Sequence, residues 1–253
     1  MNLRDKTVVI TGAARGLGAA MAKALAAKGA RLALVDLDTD AMEAVDAECT
    51  AAGVTVRRYA ANVGKESDVV ALYDAVVADF GALDASIANA GILRDGLLVK
   101  AKEGVIEERM SLAQWQAVID VNLTGVFLCG REAAARMIEL RTRGAIINIS
   151  SISRHGNFGQ SNYSAAKAGV AALTVVWAKE LARHGIRVNA IAPGFVRTDI
   201  LKSMKPEVLA KMTAAIPVGR LGEPEEIAQT VTYILENDYV DGRVIEVDGG
   251  QRL

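Results

Sequence analysis

Short apolar runs alternate with longer helical stretches along nearly the whole chain. That alternation restricts the fold more than any other feature of the sequence. Thr7–Thr11, Arg31–Asp36, Thr55–Ala60, Asp84–Ala88, Ala145–Ser150, Arg187–Ala192 and Arg243–Val247 read as strands. Leu17–Lys28, Thr39–Ala52, Glu66–Phe80, Leu112–Leu140, Asn162–Arg183 and Glu225–Glu236 read as helices, several of them closed by glycine. The strand runs are apolar throughout rather than alternating, which suits burial on both faces. A strand–helix rhythm with seven strands predicts an α/β fold, a doubly wound parallel sheet with helices on both faces. All four prolines lie at or beyond Pro193, so the first 192 residues lack the strongest breaker of helices and central strands. No Gly/Ser-rich or Pro-rich linker interrupts the chain, and a single domain over residues 1–253 is expected.

One segment breaks the rhythm. Leu97–Met110 carries a Lys-Glu-Gly turn between extended-type residues, and reads as a small hairpin projecting from the main sheet. Charge and composition remove several function classes. With 29 basic and 30 acidic residues the net charge is −1, which argues against a chain built to bind nucleic acid or an anionic membrane. Two cysteines (Cys49, Cys129) and two histidines (His155, His184) supply metal chemistry poorly, so no metal is expected. Cys129 reads as a core residue. The longest apolar run, between Lys167 and Lys179, has eleven residues. A membrane span needs roughly 20. The charged start MNLRDK runs straight into the first strand, with no secretory signal, and a cytoplasmic protein is expected.

The first strand ends in Thr-Gly-Ala-Ala-Arg-Gly-Leu-Gly, Thr11 to Gly18. A strand that enters a helix through glycines presents bare backbone N–H groups to a phosphate, and the helix start adds partial positive charge. Gly12 permits the tight turn, while Gly16 and Gly18 permit close approach of a pyrophosphate and of helix to strand. Asp36 ends the second strand, where its carboxylate can accept both ribose hydroxyls of an adenosine and repel a 2′-phosphate. Arg15, in the glycine turn, could instead pair with that phosphate. Asp36 weighs more, because a charge directly beside the 2′ position acts more strongly than a mobile arginine, so NAD is expected over NADP.

Beyond this turn the chain resembles the short-chain dehydrogenase/reductase family. The resemblance rests on Asn89-Ala90-Gly91 after the fourth strand, Val121-Asn122-Leu123 in a helix, and Ser150/Ser151 at the end of the fifth strand. It rests further on Tyr163-Ser164-Ala165-Ala166-Lys167, and on Pro193-Gly194 with Thr198 after the sixth strand. It covers essentially the whole chain and implies a Rossmann-like fold. Arg94-Asp95-Gly96-Leu97-Leu98 and Val247-Asp248-Gly249-Gly250 are similar to beta-ketoacyl thioester reductases within the family. Two departures stand out. Asn62 replaces the acidic residue that usually holds the adenine amine, and an amide can still accept from it. The Leu97–Met110 segment is longer than in the thioester reductases and lies near the expected substrate side.

Tyr163 and Lys167 are spaced i, i+4 and share a helix face. A phenol near pKa ~10 is a poor base at neutral pH, and a nearby ammonium lowers that value. Tyr163 can then exchange a proton with a substrate oxygen. A serine beside it can hydrogen-bond that oxygen as charge develops. Counting along the strand from Gly144 selects Ser151, and counting thirteen residues back from Tyr163 selects Ser150. Ser151 is preferred, because a loop loses a residue more readily than a central strand.

The resemblance implies that Lys167 also holds the nicotinamide ribose. It implies that Asn122 bends its helix and holds a water leading from Lys167 to solvent. It places Gly12, Arg15, Gly16, Leu17, Gly18, Asp36, Leu37, Asn62, Val63, Asn89, Ala90, Gly91, Tyr163, Lys167, Pro193, Gly194, Val196 and Thr198 along the cofactor. His155 is expected at the cleft mouth without a catalytic duty. The implied reaction interconverts a secondary alcohol and a ketone, with a 3-hydroxyacyl or 3-oxoacyl thioester as one substrate. Bulky or aryl ketones and a catalytically silent nicotinamide-binding regulator are the alternatives. A sugar-nucleotide epimerase would need a separate substrate domain that this length does not hold. A homotetramer is expected through Val118–Leu140, Ala165–Ala178 and the C-terminal strand. Arg94, Lys100, Lys102 and Arg154 are the candidates for a basic patch facing an acyl carrier.

Overall fold

The structure is a computed structural model that describes residues 1–198 and 206–252. Its strands are β1 (Thr7–Thr11), β2 (Arg31–Asp36), β3 (Val56–Ala60), β4 (Ala85–Ala88), β5 (Val99–Lys102), β6 (Val105–Arg109), β7 (Ala145–Ile149), β8 (Arg187–Pro193) and β9 (Val244–Val247). Its helices are α1 (Gly16–Ala27), α2 (Glu43–Ala51), α3 (Glu66–Phe80), α4 (Leu112–Ile119), α5 (Gly125–Glu139), α6 (Ser161–Leu181), α7 (Pro206–Ala214) and α8 (Pro224–Glu236).

Seven strands form one sheet in the order β3-β2-β1-β4-β7-β8-β9, and every neighbouring pair in it is parallel. From β1 the chain winds outward through β2 and β3. It then returns to β4 on the other side of β1. Such a reversal opens a crevice at the carboxyl ends of the strands, where ligands bind in open α/β sheets.

Burial follows from this arrangement. Each residue of β1, β4 and β7 is buried. Val8 and Ile10 pack with Met21, Leu25, Val231 and Ile234 under α1 and α8, while Val9 packs with Leu72, Val76, Leu128 and Val170 under α3, α5 and α6. Successive strand residues point to opposite faces, so each central strand feeds two cores and must be apolar at every position. Two strands depart from that expectation. β3, with the sequence VRRYA, and β9 lie at the sheet edges and are only partly buried.

The helical stretch expected over Leu112–Leu140 is two helices with a bend between them. α4 and α5 are joined by a π-turn over Asp120–Thr124, centred on the fully buried Asn122. Its amide nitrogen donates to the Val118 carbonyl at 3.0 Å and to Ile92 O at 2.9 Å, and its oxygen accepts from Ile92 N at 3.2 Å. The side chain thus takes over one helical carbonyl and joins the helix to the loop after β4, a named cause of a π-bulge. α7 was not expected from the pattern. α8 starts with Pro224 at its first turn and a reciprocal Glu223/Glu226 capping box.

The Leu97–Met110 hairpin is present as the antiparallel pair β5–β6. Glu103 and Gly104 both adopt positive φ, 50° and 80°, as a two-residue turn of mirror-image type requires.

At the first turn of α1, Gly18 has no room for a side chain: a Cβ there would run into the Gly12 carbonyl oxygen. Gly18→Ala is expected to cost about 1–3 kcal/mol through forced displacement of the turn. It should lower the melting temperature by about 5 °C and weaken dinucleotide binding, read by thermal scanning and titration.

Candidate active site

The crevice between β1 and β4 is built from backbone. Asn89, just beyond β4, donates its amide to Thr11 O at 2.9 Å and Gly12 O at 3.1 Å. The Thr11 hydroxyl accepts from the N–H groups of Asn89 and Ala90. A Cβ on Gly12 would lie 2.9 Å from Ala90 Cα, so the two segments can approach only because Gly12 is bare.

The start of α1 has no side-chain cap and no acidic residue in its first turn. Its free N–H groups and partial positive charge suit a phosphate. Arg15, extended and exposed, stands at that helix start. The Asp36 carboxylate accepts from Ala14 N at 3.1 Å and Leu37 N at 2.8 Å, which fixes it at the rim of the glycine turn. Leu37 beside it is 71% exposed, an apolar surface open to a planar ring. Asn62 turns its oxygen inward, accepting from Gly64 N at 3.0 Å, and Val63 is buried under α5.

The segment after β8 closes the other side. The methyl group of Thr198 lies next to Gly16, 3.7 Å from where its Cβ would stand. Gly194 packs on Asp248, and Val196 bridges to Gly222. These residues form a bare backbone cradle with one carboxylate on its rim, which fits a dinucleotide. Gly91 completes it, since a Cβ there would lie 2.6 Å from the Asn122 oxygen, whereas Leu17 packs against the core under α1.

Ser150 and Ser151 separate cleanly. Ser150 is buried, and its hydroxyl donates to the Lys167 carbonyl at 2.9 Å. Ser151, half-buried just past β7, faces the Tyr163 phenol closely enough to pull it down, and its hydroxyl accepts from Ser153 N at 3.1 Å. The serine facing the tyrosine is therefore Ser151, and Ser150 ties β7 to α6.

Lys167 is 3% exposed, and its ammonium donates to the Ile149 carbonyl at 2.7 Å. Burial pulls it down to about 8. The ammonium stands over the Tyr163 ring, 5.5 Å from its centre. The expected lowering of the phenol by this lysine does not appear. Burial pushes Tyr163 up to about 12, the Ser151 hydroxyl opposes that rise, and the Asp95 carboxylate adds to it.

Several site residues escaped the sequence reading. Asn162 is fully buried and donates to the carbonyls of Arg94 and Gln114, which seats the start of α6 against the loop after β4 and the first turn of α4. Gln160 donates to Asp95 at 2.9 Å and accepts from Asn157 at 3.0 Å. Among the basic-patch candidates, Lys100 is paired with Glu107 and Arg154 with Glu246, while Arg94 and Lys102 have no carboxylate partner among the described residues. Among the described residues no His/Cys/Asp/Glu group has metal-holding geometry, and no helix is long and apolar enough to cross a membrane.

Comparison with known proteins finds similarity along nearly the whole chain. Residues 12–252 match a family described as enoyl-(acyl carrier protein) reductase. A 3-oxoacyl-[acyl-carrier-protein] reductase of Thermotoga maritima is 40% identical, over 99% of both chains. One of Synechocystis is 42% identical, over 98% of this chain and 97% of the relative. A crystal structure of a short-chain type dehydrogenase/reductase from Mycobacterium marinum superposes with a TM-score of 0.91 at 32% identity, covering 98% of this chain and 96% of the other. The chain belongs to the short-chain dehydrogenase/reductase family. It is an oxidoreductase of CH–OH and keto groups, and as a member of this family it uses a nicotinamide cofactor.

The lysine environment sets a pH dependence. An ordinary lysine binds its proton up to about 10.5 when unfolded, whereas Lys167 loses it near 8 in the fold. Between these values the unfolded chain holds more protons, so stability rises with pH in that window. Lys167→Met removes the buried cation. The excess melting temperature of the variant over the wild type should therefore be largest below pH 8 and shrink towards pH 10.5, read by thermal scans.

Proposed function

We propose that the protein reduces 3-oxoacyl thioesters to 3-hydroxyacyl thioesters with NADH. The observation that carries this reading is the meeting of Ser151, Tyr163 and Lys167 at the carboxyl edge of the sheet, beside the glycine turn. The glycine turn, Asp36, Leu37, Asn62, Val63, the 89–91 segment and the 193–198 segment hold the dinucleotide in this reading. When bound, its nicotinamide exchanges a hydride with the substrate carbon.

The rest belongs to the chain. The Ser151 hydroxyl donates a hydrogen bond to the substrate carbonyl oxygen, where negative charge develops. Tyr163 gives that oxygen its proton. A phenol held up to about 12 keeps its proton at neutral pH and so stands ready as an acid. Lys167 orients the phenol from beneath its ring and holds the nicotinamide ribose. Asn122 fixes the π-turn against Ile92, which sets the floor of the crevice.

Asp36 supports NADH over NADPH, because its carboxylate is pinned at the rim while Arg15 has no anchoring partner among the described residues. The thioester assignment draws on the names of the relatives and on the 94–98 and 247–250 segments. Of the four basic residues considered for an acyl-carrier face, Lys100 and Arg154 are spent on Glu107 and Glu246.

The same reading includes a homotetramer. Leu123, Phe127, Ala172, Leu173 and Val176 line an open apolar groove between α5 and α6, a face suited to a second copy of the chain.

Side-by-side rates with NADH and NADPH on the acetoacetyl thioester of coenzyme A and on aryl ketones test the proposal. NADH is expected to win on the thioester by at least about tenfold, and Asp36→Ala should erase that preference. Preference for NADPH in the wild type, or turnover of aryl ketones alone, would overturn it.

A further inference from the structure

Glu246 lies on β9, opposite Ala192 of β8, yet its carboxylate is spent on the far side of that strand. One oxygen accepts from Arg154 Nη2 at 2.8 Å and lies 3.0 Å from His155 Nε2. The other accepts from Arg252 Nη1 at 3.1 Å. Arg252 also reaches Asp248, at 3.0 Å. Arg154 and His155 belong to the single 3-10 turn Ile152–His155. That turn begins at Ser151: the Ser151 hydroxyl accepts from Ser153 N, and the Ser151 carbonyl accepts from Arg154 N at 3.1 Å. The arginine is nearly enclosed, with its side chain 15% exposed, and its Nη1 is buried with no partner among the described residues. Glu246 is thus the only carboxylate paired with Arg154 among the described residues.

We propose that Glu246 is a positioning residue for Ser151, holding the turn 152–155 from β9 so that the Ser151 hydroxyl stays against Tyr163. The inference rests on the reading of Ser151 given above. Two guanidinium groups, those of Arg154 and Arg252, converge on one carboxylate, and its charge is what keeps them together. Replacing it by an amide leaves Arg154 half-desolvated beside His155 and Arg252. The turn then relaxes outward, and Ser151 moves with it. A small displacement of a group that must meet a developing charge costs rate without touching the distant glycine turn.

The test is a double-mutant cycle on the full chain, with the acetoacetyl thioester of coenzyme A as substrate. Glu246→Gln is expected to lower kcat on the order of tenfold while leaving the Kd for NADH within about twofold. In a Ser151→Ala background the same change should lower kcat no further, because the serine it positions is gone. Glu246→Asp, which keeps the charge, should recover part of the rate. If Glu246→Gln does not fold, Arg154→Gln breaks the same pair from the turn side and is read the same way. Unchanged kcat in Glu246→Gln, or an equal fall in both backgrounds, would overturn the proposal. Full activity of Ser151→Ala alone would instead sink the reading of Ser151, and it is read before the cycle is closed.

Discussion

A lysine only 3% exposed has to be held by the backbone, and that requirement organises the site. The Lys167 ammonium donates to the carbonyl of Ile149, and the hydroxyl of Ser150 donates to the carbonyl of Lys167. Each residue gives its side chain to the other element's main chain. This reciprocal pair locks α6 to the end of β7. Tyr163, one turn before Lys167, and Ser151, one residue after Ser150, are then carried into contact. A buried cation without such a partner would be costly, so the pair is worth more as a specifier of geometry than as a source of stability.

Around that lock the remaining elements supply rigidity. Asn162 ties the start of α6 to Arg94 and Gln114, and Asn122 ties the α4–α5 junction to Ile92. Both are fully buried amides whose nitrogens donate to main-chain carbonyls and whose oxygens accept from main-chain N–H groups. The loop after β4 is therefore gripped from two helices, and it carries Asp95 to a point where its carboxylate raises Tyr163. Electrostatics and packing share one scaffold here. Asp95 favours the neutral phenol, and Ser151 opposes it.

How much of this could be read from the sequence depends on the range of each interaction. The glycine turn, Asp36 at a strand end, and the Tyr163/Lys167 spacing are local signals, and the structure gathers all of them at one crevice. The hairpin was legible because Glu103-Gly104 is a two-residue turn with its own chemistry. Ser150 and Ser151 could not be separated by counting, since the choice depends on which side chain the twist of β7 turns toward α6. The π-turn at Asn122 breaks no pattern in the hydrophobic period, so only the resemblance announces the bend there. Asn162, the Asp95–Gln160 pair and Glu246 act across 48 to 92 residues of chain, and no spacing rule reaches that far. The β3 strand shows the opposite limit: its Arg57 and Arg58 belong to an edge, which run composition alone does not announce.

The central claim is that the Tyr163 hydroxyl moves the proton while the rest of the site only binds and orients. The most direct measurement is kcat of Tyr163→Phe on the acetoacetyl thioester, with NADH binding followed by fluorescence in the same preparation. The account predicts a fall of about 10²–10⁴-fold with the NADH Kd nearly unchanged. Turnover within about threefold of the wild type would contradict it, since removing a single oxygen atom would then have removed nothing the reaction uses.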